Sequence, residues 1–84
     1  MTAIAIERNA VREFIVTNFY IPDESSLGDE TSLLDQGIVD STGVLELTAF
    51  IEETFSIKVE DAEIVPENLD SIGNILAFIA RKRT

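Results

Sequence analysis

The chain has 84 residues, a formal net charge of −10, 45% hydrophobic residues, and neither Cys nor His nor Trp. This length supports one hydrophobic core, and therefore a single domain over residues 1–84, while the apolar content excludes a disordered polar chain. The absence of Cys and His excludes disulfides, thiolate metal sites, cysteine nucleophiles and histidine bases, and the acidity argues against nucleic-acid binding.

A first helix is predicted from Ala3 to about Phe19, because apolar residues recur on one face at helical spacing. The residues of this face are Ile4, Val11, Phe14, Ile15 and Phe19. Ile6 falls off the face. The segment Tyr20-Ile21-Pro22-Asp23 should stop the helix, since a residue before proline disfavours the α conformation.

A long connection rich in Ser, Asp, Gly and Thr follows over residues 20–40. A loop of this length is unusual inside a compact domain and tends to be functional. The residues expected to hold it against the core are Leu27, Leu33, Leu34 and Ile38. A short helical turn over 31–34 is an alternative. Residues 23–34 superficially resemble a calcium loop, but leucines occupy two of its ligand positions, so no metal site is predicted.

The second helix is predicted to begin at Ser41 or Thr42 and to run to about Phe55. Its core face comprises Val44, Leu47, Ile51 and Phe55, flanked by Phe50. Glu46 and Glu53 share the opposite face, and Glu52 lies to one side.

After this helix the pattern breaks, and Ile57 and Val59 are expected to tuck inward. Residues 60–64 should form one short helical turn before Pro66. The last helix should run from near Ser71 to about Lys82, capped by Asp70 or Ser71. Its core face comprises Ile72, Ile75, Leu76 and Ile79. Without a credible strand, this predicts an all-α bundle of three main helices and one short helix with a long first loop.

The acidic residues are concentrated in the middle of the chain. Fourteen of the sixteen lie between Asp23 and Asp70, where Lys58 is the one base. Such a field attracts cationic surfaces and repels nucleic acids and anionic membranes, so basic protein partners are predicted. The chain lacks a signal-peptide pattern and a bilayer-spanning apolar run, which predicts a cytoplasmic protein. Met1 and the basic ending favour a free-standing chain over a piece of a larger enzyme.

The most distinctive segment, 34–42, ends the long loop and opens the acidic helix. Gly37 permits a tight turn, which the two apolar residues after it can anchor. Ser41 falls at the first exposed position of the helix, where free N–H groups tolerate a phosphoryl group. From these residues alone, the favoured interpretation is that Asp40 and Ser41 only cap the helix. No self-sufficient active site is found elsewhere, so the chain is not expected to be an enzyme.

Residues 33–55 resemble the acyl carrier protein family, in which a Gly-x-Asp-Ser-Leu type motif opens the second helix. Here the motif reads Gly-Ile-Val-Asp-Ser-Thr-Gly-Val-Leu-Glu-Leu, and Phe-Ile-Glu-Glu-Thr-Phe follows it. The resemblance extends over essentially the whole chain. It implies that a Mg²⁺-dependent phosphopantetheinyl transferase attaches 4′-phosphopantetheine from coenzyme A to Ser41, beside Asp40.

By the same resemblance, an acyl- or aminoacyl-loading ligase places the cargo on this arm as a thioester, and downstream enzymes receive it from a monomeric carrier. Partner recognition would fall to Thr42, Val44, Glu46, Ala49, Glu52 and Glu53. The core would include Leu47, Ile51, Phe55, Ile64 and Ile75, with the wall of a cargo pocket as the alternative role.

Two residues depart from the fatty-acid carriers. Thr42 replaces a leucine, and Gly43 stands where an acid is common, so the set of partners can differ from theirs. The stretch Leu-x-x-x-Gly-Ile-Val-Asp-Ser-Thr is more similar to stand-alone carriers of aminoacyl, D-alanyl or specialised acyl groups. Two rival readings stay open. One is an acidic helical interaction module without a prosthetic group, and the other is a domain regulated by phosphorylation of Ser41.

Overall fold

The computed structural model describes residues 3–19, 21, 25 and 27–83, with the backbone alone for residues 3–5. Helix α1 spans Ala3–Asn18, α2 Ser41–Phe55, α3 Pro66–Leu69 and α4 Ile72–Lys82, and a 3₁₀ helix spans Asp61–Glu63. No strand occurs in these residues. The prediction of an all-α bundle with three main helices and a long first loop is confirmed.

The three long helices bury their apolar faces in one core. Its fully buried members include Val11, Ile15, Leu47, Ile51, Ile72, Ile75 and Ile79, all of which were predicted. The predicted residues packed at the edge of the core are Phe14, Phe19, Val44, Phe50, Phe55 and Leu76. Ile6, off the predicted face, is 56% exposed. Ile4 lies outside the described side chains, and so do Tyr20, Pro22 and Asp23 of the predicted helix stop.

The region between α2 and α4 contains an element that the sequence analysis missed. The predicted short turn over 60–64 is the 3₁₀ helix, but a further helical turn, α3, follows it. Pro66 is the first residue of α3, where its fixed φ suits a helix and its missing N–H costs nothing. Leu69 from α3 and Phe78 from α4 are buried core residues that were not predicted. The core therefore receives one apolar side chain from a helix that was not predicted and one from outside the predicted face of α4.

The long loop is held to the core as expected, except at one residue. Leu27 and Leu33 are buried and Ile38 packs at the edge of the core, whereas Leu34 is 39% exposed. The expectation that Leu34 anchors the loop is therefore wrong. Leu33 and Leu34 are consecutive residues of a tight turn over 33–37, so only one of them enters the core. This turn also replaces the alternative of a helical turn over 31–34.

Candidate functional site

The N-terminus of α2 is capped by Asp40. Asp40 has an extended backbone, and its Oδ1 accepts a 2.7 Å hydrogen bond from the Gly43 N–H. Ser41 is the first residue of α2 and is exposed, and no hydrogen bond to its side chain occurs within the described part of the chain. The cap is therefore Asp40, and the Ser41 hydroxyl stands beside a helix N-terminus whose partial positive charge favours anions.

The loop delivers Ser41 through a tight turn at Gly37, which has a φ of +70°. The Leu33 carbonyl oxygen accepts hydrogen bonds from Ile38 N (2.9 Å) and Val39 N (3.1 Å) just after the turn. Val39 is 2% exposed and fastens this segment to the core directly before the cap. The predicted turn at Gly37 and its apolar anchor are both present.

Gly43 is buried because the end of α1 packs against the first turn of α2. A Cβ atom at Gly43 would lie 2.6 Å from Phe19 Cε1 and 3.3 Å from Asp40 Oδ1. The Phe19 ring in turn packs edge-on against Phe14, with ring centroids 6.0 Å apart. An acid at this position would collide with Phe19, which explains one departure from the fatty-acid carriers in steric terms.

The acids of α2 have two different environments. Glu46 and Glu53 are exposed, and no ion pair involving either occurs among the described residues. Glu52 is partly buried, and its Oε2 accepts a 2.8 Å hydrogen bond from Val59 N. Glu52 therefore supports the chain after α2, whereas Glu46 and Glu53 leave their charges available to solvent and partners.

Three of the five basic residues near the two ends of the chain form ion pairs with acids outside α2. Arg8 pairs with Asp29 at 3.0 Å, Lys82 with Glu63 at 2.9 Å, and Arg83 with Glu7. The pKa of Glu63 is lowered from its ordinary value, first by the hydrogen bond from the Glu60 N–H and then by Lys82. None of these three pairs involves an acid of α2.

Three further predicted partner residues lie on α2 as expected, and one exposed residue was missed. Thr42 and Ala49 are exposed, and Val44 is partly buried. Leu45, one turn after Ser41, is 61% exposed. Its position off the apolar face was visible in the sequence, and it adds an apolar contact to a surface otherwise rich in acids.

A small apolar cavity lies beside the first turn of α2. Its volume is about 70 Å³, and it is lined by Leu34, Val44, Ile64, Val65, Pro66 and Leu69. Val44 is three residues after Ser41, which is about 4.5 Å along a helix axis. The sequence analysis named five core residues that could instead form the wall of a cargo pocket. Of these, Ile64 lines this cavity, while Leu47, Ile51 and Ile75 are fully buried in the core.

Other features of the described residues suggest no competing site. A larger open depression of about 510 Å³ lies along α1, but none of its lining residues belongs to α2. Within the described part, no group of three or more Asp or Glu is placed to hold a metal ion. No helix there is both long and apolar enough to cross a membrane.

Comparison with known proteins agrees with this geometry. A family model described as the phosphopantetheine attachment site matches residues 9–79, from α1 to the last turns of α4. A search of curated proteins found no match. The matched range covers most of the chain, so the resemblance to acyl carrier proteins is confirmed at the level of the family. The chain therefore belongs to the phosphopantetheine attachment-site family, whose members carry covalently attached 4′-phosphopantetheine.

Proposed function

We propose that residues 1–84 form one carrier domain that holds an acyl or aminoacyl group on a 4′-phosphopantetheine arm attached to Ser41. The family match supports the carrier role, and carrier domains of this family are typically non-catalytic. The observation that carries the assignment to Ser41 is its exposed hydroxyl at the capped N-terminus of α2.

The environments of the other described serines support this choice. Ser32 and Ser71 are held in hydrogen bonds with neighbouring groups, and Ser25 also interacts with a neighbour. Ser56 is exposed, but it follows the C-terminus of α2, where the partial negative charge of the helix disfavours a phosphoryl group. Ser26 lies outside the described residues. Ser41 is thus the described serine that combines exposure with a favourable helix end.

The residues around Ser41 fit a covalently attached phosphodiester. Asp40 uses the Gly43 N–H for the cap, which leaves the N–H groups of Ser41 and Thr42, at the open end of the helix, to face an anion. The cavity beside Val44 offers apolar surface within one turn of the attachment point. When bound, the group supplies the terminal thiol that holds cargo as a thioester.

The proposed partners are a phosphopantetheinyl transferase, a loading ligase and downstream acyl-transfer enzymes. Their docking surface on the carrier comprises Thr42, Val44, Glu46, Ala49 and Glu53, to which its exposure adds Leu45. Glu52, the sixth residue predicted for this surface, takes part less directly, because its carboxylate accepts the hydrogen bond from Val59 N. Exposed acids steer basic partners and raise association rates while contributing little affinity, which suits a carrier that must leave each enzyme. We place these exchanges in the cytoplasm and treat the carrier as a monomer.

The test is intact mass before and after incubation with coenzyme A, Mg²⁺ and a broad-specificity phosphopantetheinyl transferase. Wild type and the matched control Ser56→Ala are expected to gain one phosphopantetheinyl group, and Ser41→Ala none. If wild type is isolated unmodified and stays so while a control carrier is modified, the proposal is wrong. That outcome would leave the acidic interaction module, or phosphorylation of Ser41, as the explanation of this site.

A further inference from the structure

The long loop is tied to the junction between α3 and α4 by backbone hydrogen bonds. Leu33 N donates to the Asp70 carbonyl oxygen at 2.6 Å, and Gly73 N donates to the Asp29 carbonyl oxygen at 2.8 Å. The loop segment that leads to Ser41 is therefore positioned by residues 37 and 44 places further along the chain.

The Asp70 side chain adds a second set of contacts to the same loop. Its Oδ1 accepts a 3.0 Å hydrogen bond from Leu34 N, and Ser32 Oγ lies 2.7 Å from its Oδ2 and 2.9 Å from its Oδ1. Ser32 Oγ in turn accepts a hydrogen bond from Asp35 N at 3.1 Å. We call these contacts of the Asp70 carboxylate with Ser32 and Leu34 the Asp70 clamp.

The clamp joins two walls of the apolar cavity. Leu34 forms the loop side of the cavity, and Pro66 and Leu69 form the α3 side. Asp70 directly follows Leu69 and ends α3, with its N–H donating to the Pro66 carbonyl oxygen at 3.0 Å. Among the described residues that line the cavity, Leu34 alone comes from the long loop, and the clamp holds its N–H.

We infer that Asp70 is a positioning residue which limits the cargo to short acyl or small aminoacyl groups by holding Leu34 against the cavity. This inference rests on the proposed carrier function. The cavity volume of about 70 Å³ is roughly half that of an engineered apolar cavity of about 150 Å³ that binds benzene. With the clamp closed, the space therefore suits about two to four carbon atoms, and longer chains must displace Leu34 or stay in solvent.

The experiment loads wild type and variants by transferase with acetyl-, butyryl- or octanoyl-coenzyme A and measures the Tm of each product. Burial of each added methylene stabilises the fold, so the Tm reports how much of the chain enters the cavity. For wild type, Tm should rise from acetyl to butyryl and then stay level at octanoyl. For Asp70→Ala it should continue to rise, because Leu34 is released.

Two variants separate positioning from general stability. Asp70→Asn keeps the Oδ1 atom that both Ser32 and Leu34 contact, so its chain-length profile should match wild type. Ile79→Val weakens the core in the last turns of α4, away from the clamp, and should lower every Tm without changing the profile. In the unmodified proteins, the Leu34 amide hydrogen should exchange about tenfold faster in Asp70→Ala than in Ile79→Val.

The outcomes are distinct. A wild-type protein that the transferase cannot modify refutes the proposed function. A wild type that is modified but whose Tm keeps rising through octanoyl refutes the size limit. If Asp70→Ala lowers every Tm equally and keeps the wild-type profile, Asp70 is a structural residue only, and the inference is overturned.

Discussion

Asp40 and Ser41 are neighbours with separate roles, and this separation can be measured. Asp40→Ala removes the 2.7 Å hydrogen bond to the Gly43 N–H and a negative charge at the helix N-terminus. Loss of such a cap destabilises a protein by about 0.5–2 kcal/mol, and loss of the charge by about 0.3–1 kcal/mol. Because the two terms overlap, we expect the free energy of unfolding to fall by about 1–2 kcal/mol.

For a domain of this size, that loss lowers Tm by roughly 4–16 °C. Ser41→Ala removes an exposed hydroxyl that has no hydrogen bond within the described residues, so its unfolding free energy should change by less than about 0.5 kcal/mol. Asp40→Asn retains an oxygen acceptor for the Gly43 N–H and should recover most of the stability that Asp40→Ala loses.

The assay is thermal and urea unfolding of the three unmodified variants, followed by intact mass after incubation with the transferase. We expect Ser41→Ala to be as stable as wild type and to accept no phosphopantetheinyl group. We expect Asp40→Ala to be less stable but to keep the Ser41 hydroxyl to which the group is attached. The reasoning is refuted if Ser41→Ala loses as much stability as Asp40→Ala, since the serine would then belong to the cap. It is equally refuted if Ser41→Ala is still modified.

Three further predictions concern the surroundings of this site. Gly43→Ala should destabilise the fold by about 1–3 kcal/mol despite the better helix propensity of alanine, because the added Cβ meets the Phe19 ring. In a double-mutant cycle, adding Phe19→Leu to Gly43→Ala should recover part of that loss. The double charge reversal Glu46→Lys with Glu53→Lys should slow the transferase several-fold at low salt and less at high salt. The control charge reversal on α3, Glu67→Lys, should not slow it. If neither the double charge reversal nor the salt concentration changes the rate of modification, the acidic docking face is contradicted. Because the pKa of Glu63 is lowered in the folded state, its contribution to stability is present at neutral pH and lost as the pH falls through that lowered pKa. The Tm difference between wild type and Glu63→Gln should therefore shrink from pH 7 to pH 3, and a constant difference would contradict this reading.

Much of this fold follows from local pattern. The bounds of α2 and α4 were predicted to within a residue, because their apolar residues keep a helical period between clear capping signals. Leu34 shows where such reasoning ends. It lies in a turn whose Leu34 N–H is held by the carboxylate of Asp70, 36 residues away. The spacing of apolar residues along a helix cannot predict a contact between residues this far apart in the sequence.

The site shows the same division between local and distant causes. Ser41 could be placed at a helix start from the motif, but the reason for Gly43 lies in Phe19, which closes the space from another helix. Glu52 belongs to the acidic pattern of α2, yet its carboxylate binds the Val59 N–H. The sequence indicates which residues carry charge, whereas packing decides which of those charges remain available.

The ion pairs of the few basic residues affect which acids of the proposed carrier remain available to a partner. The acids paired with Arg8, Lys82 and Arg83 belong to α1, the long loop and the 3₁₀ helix. Ion pairs at a protein surface contribute little stability, so stability alone is a weak reason for these three. The three pairs neutralise acids outside α2, whereas Glu46 and Glu53 stay exposed, with no ion pair among the described residues. Under the proposed carrier function, a basic enzyme drawn to these two acids meets the same helix that presents Ser41 and Leu45. Since exposed charges speed encounter without holding the complex, the same face can serve each partner and then release it.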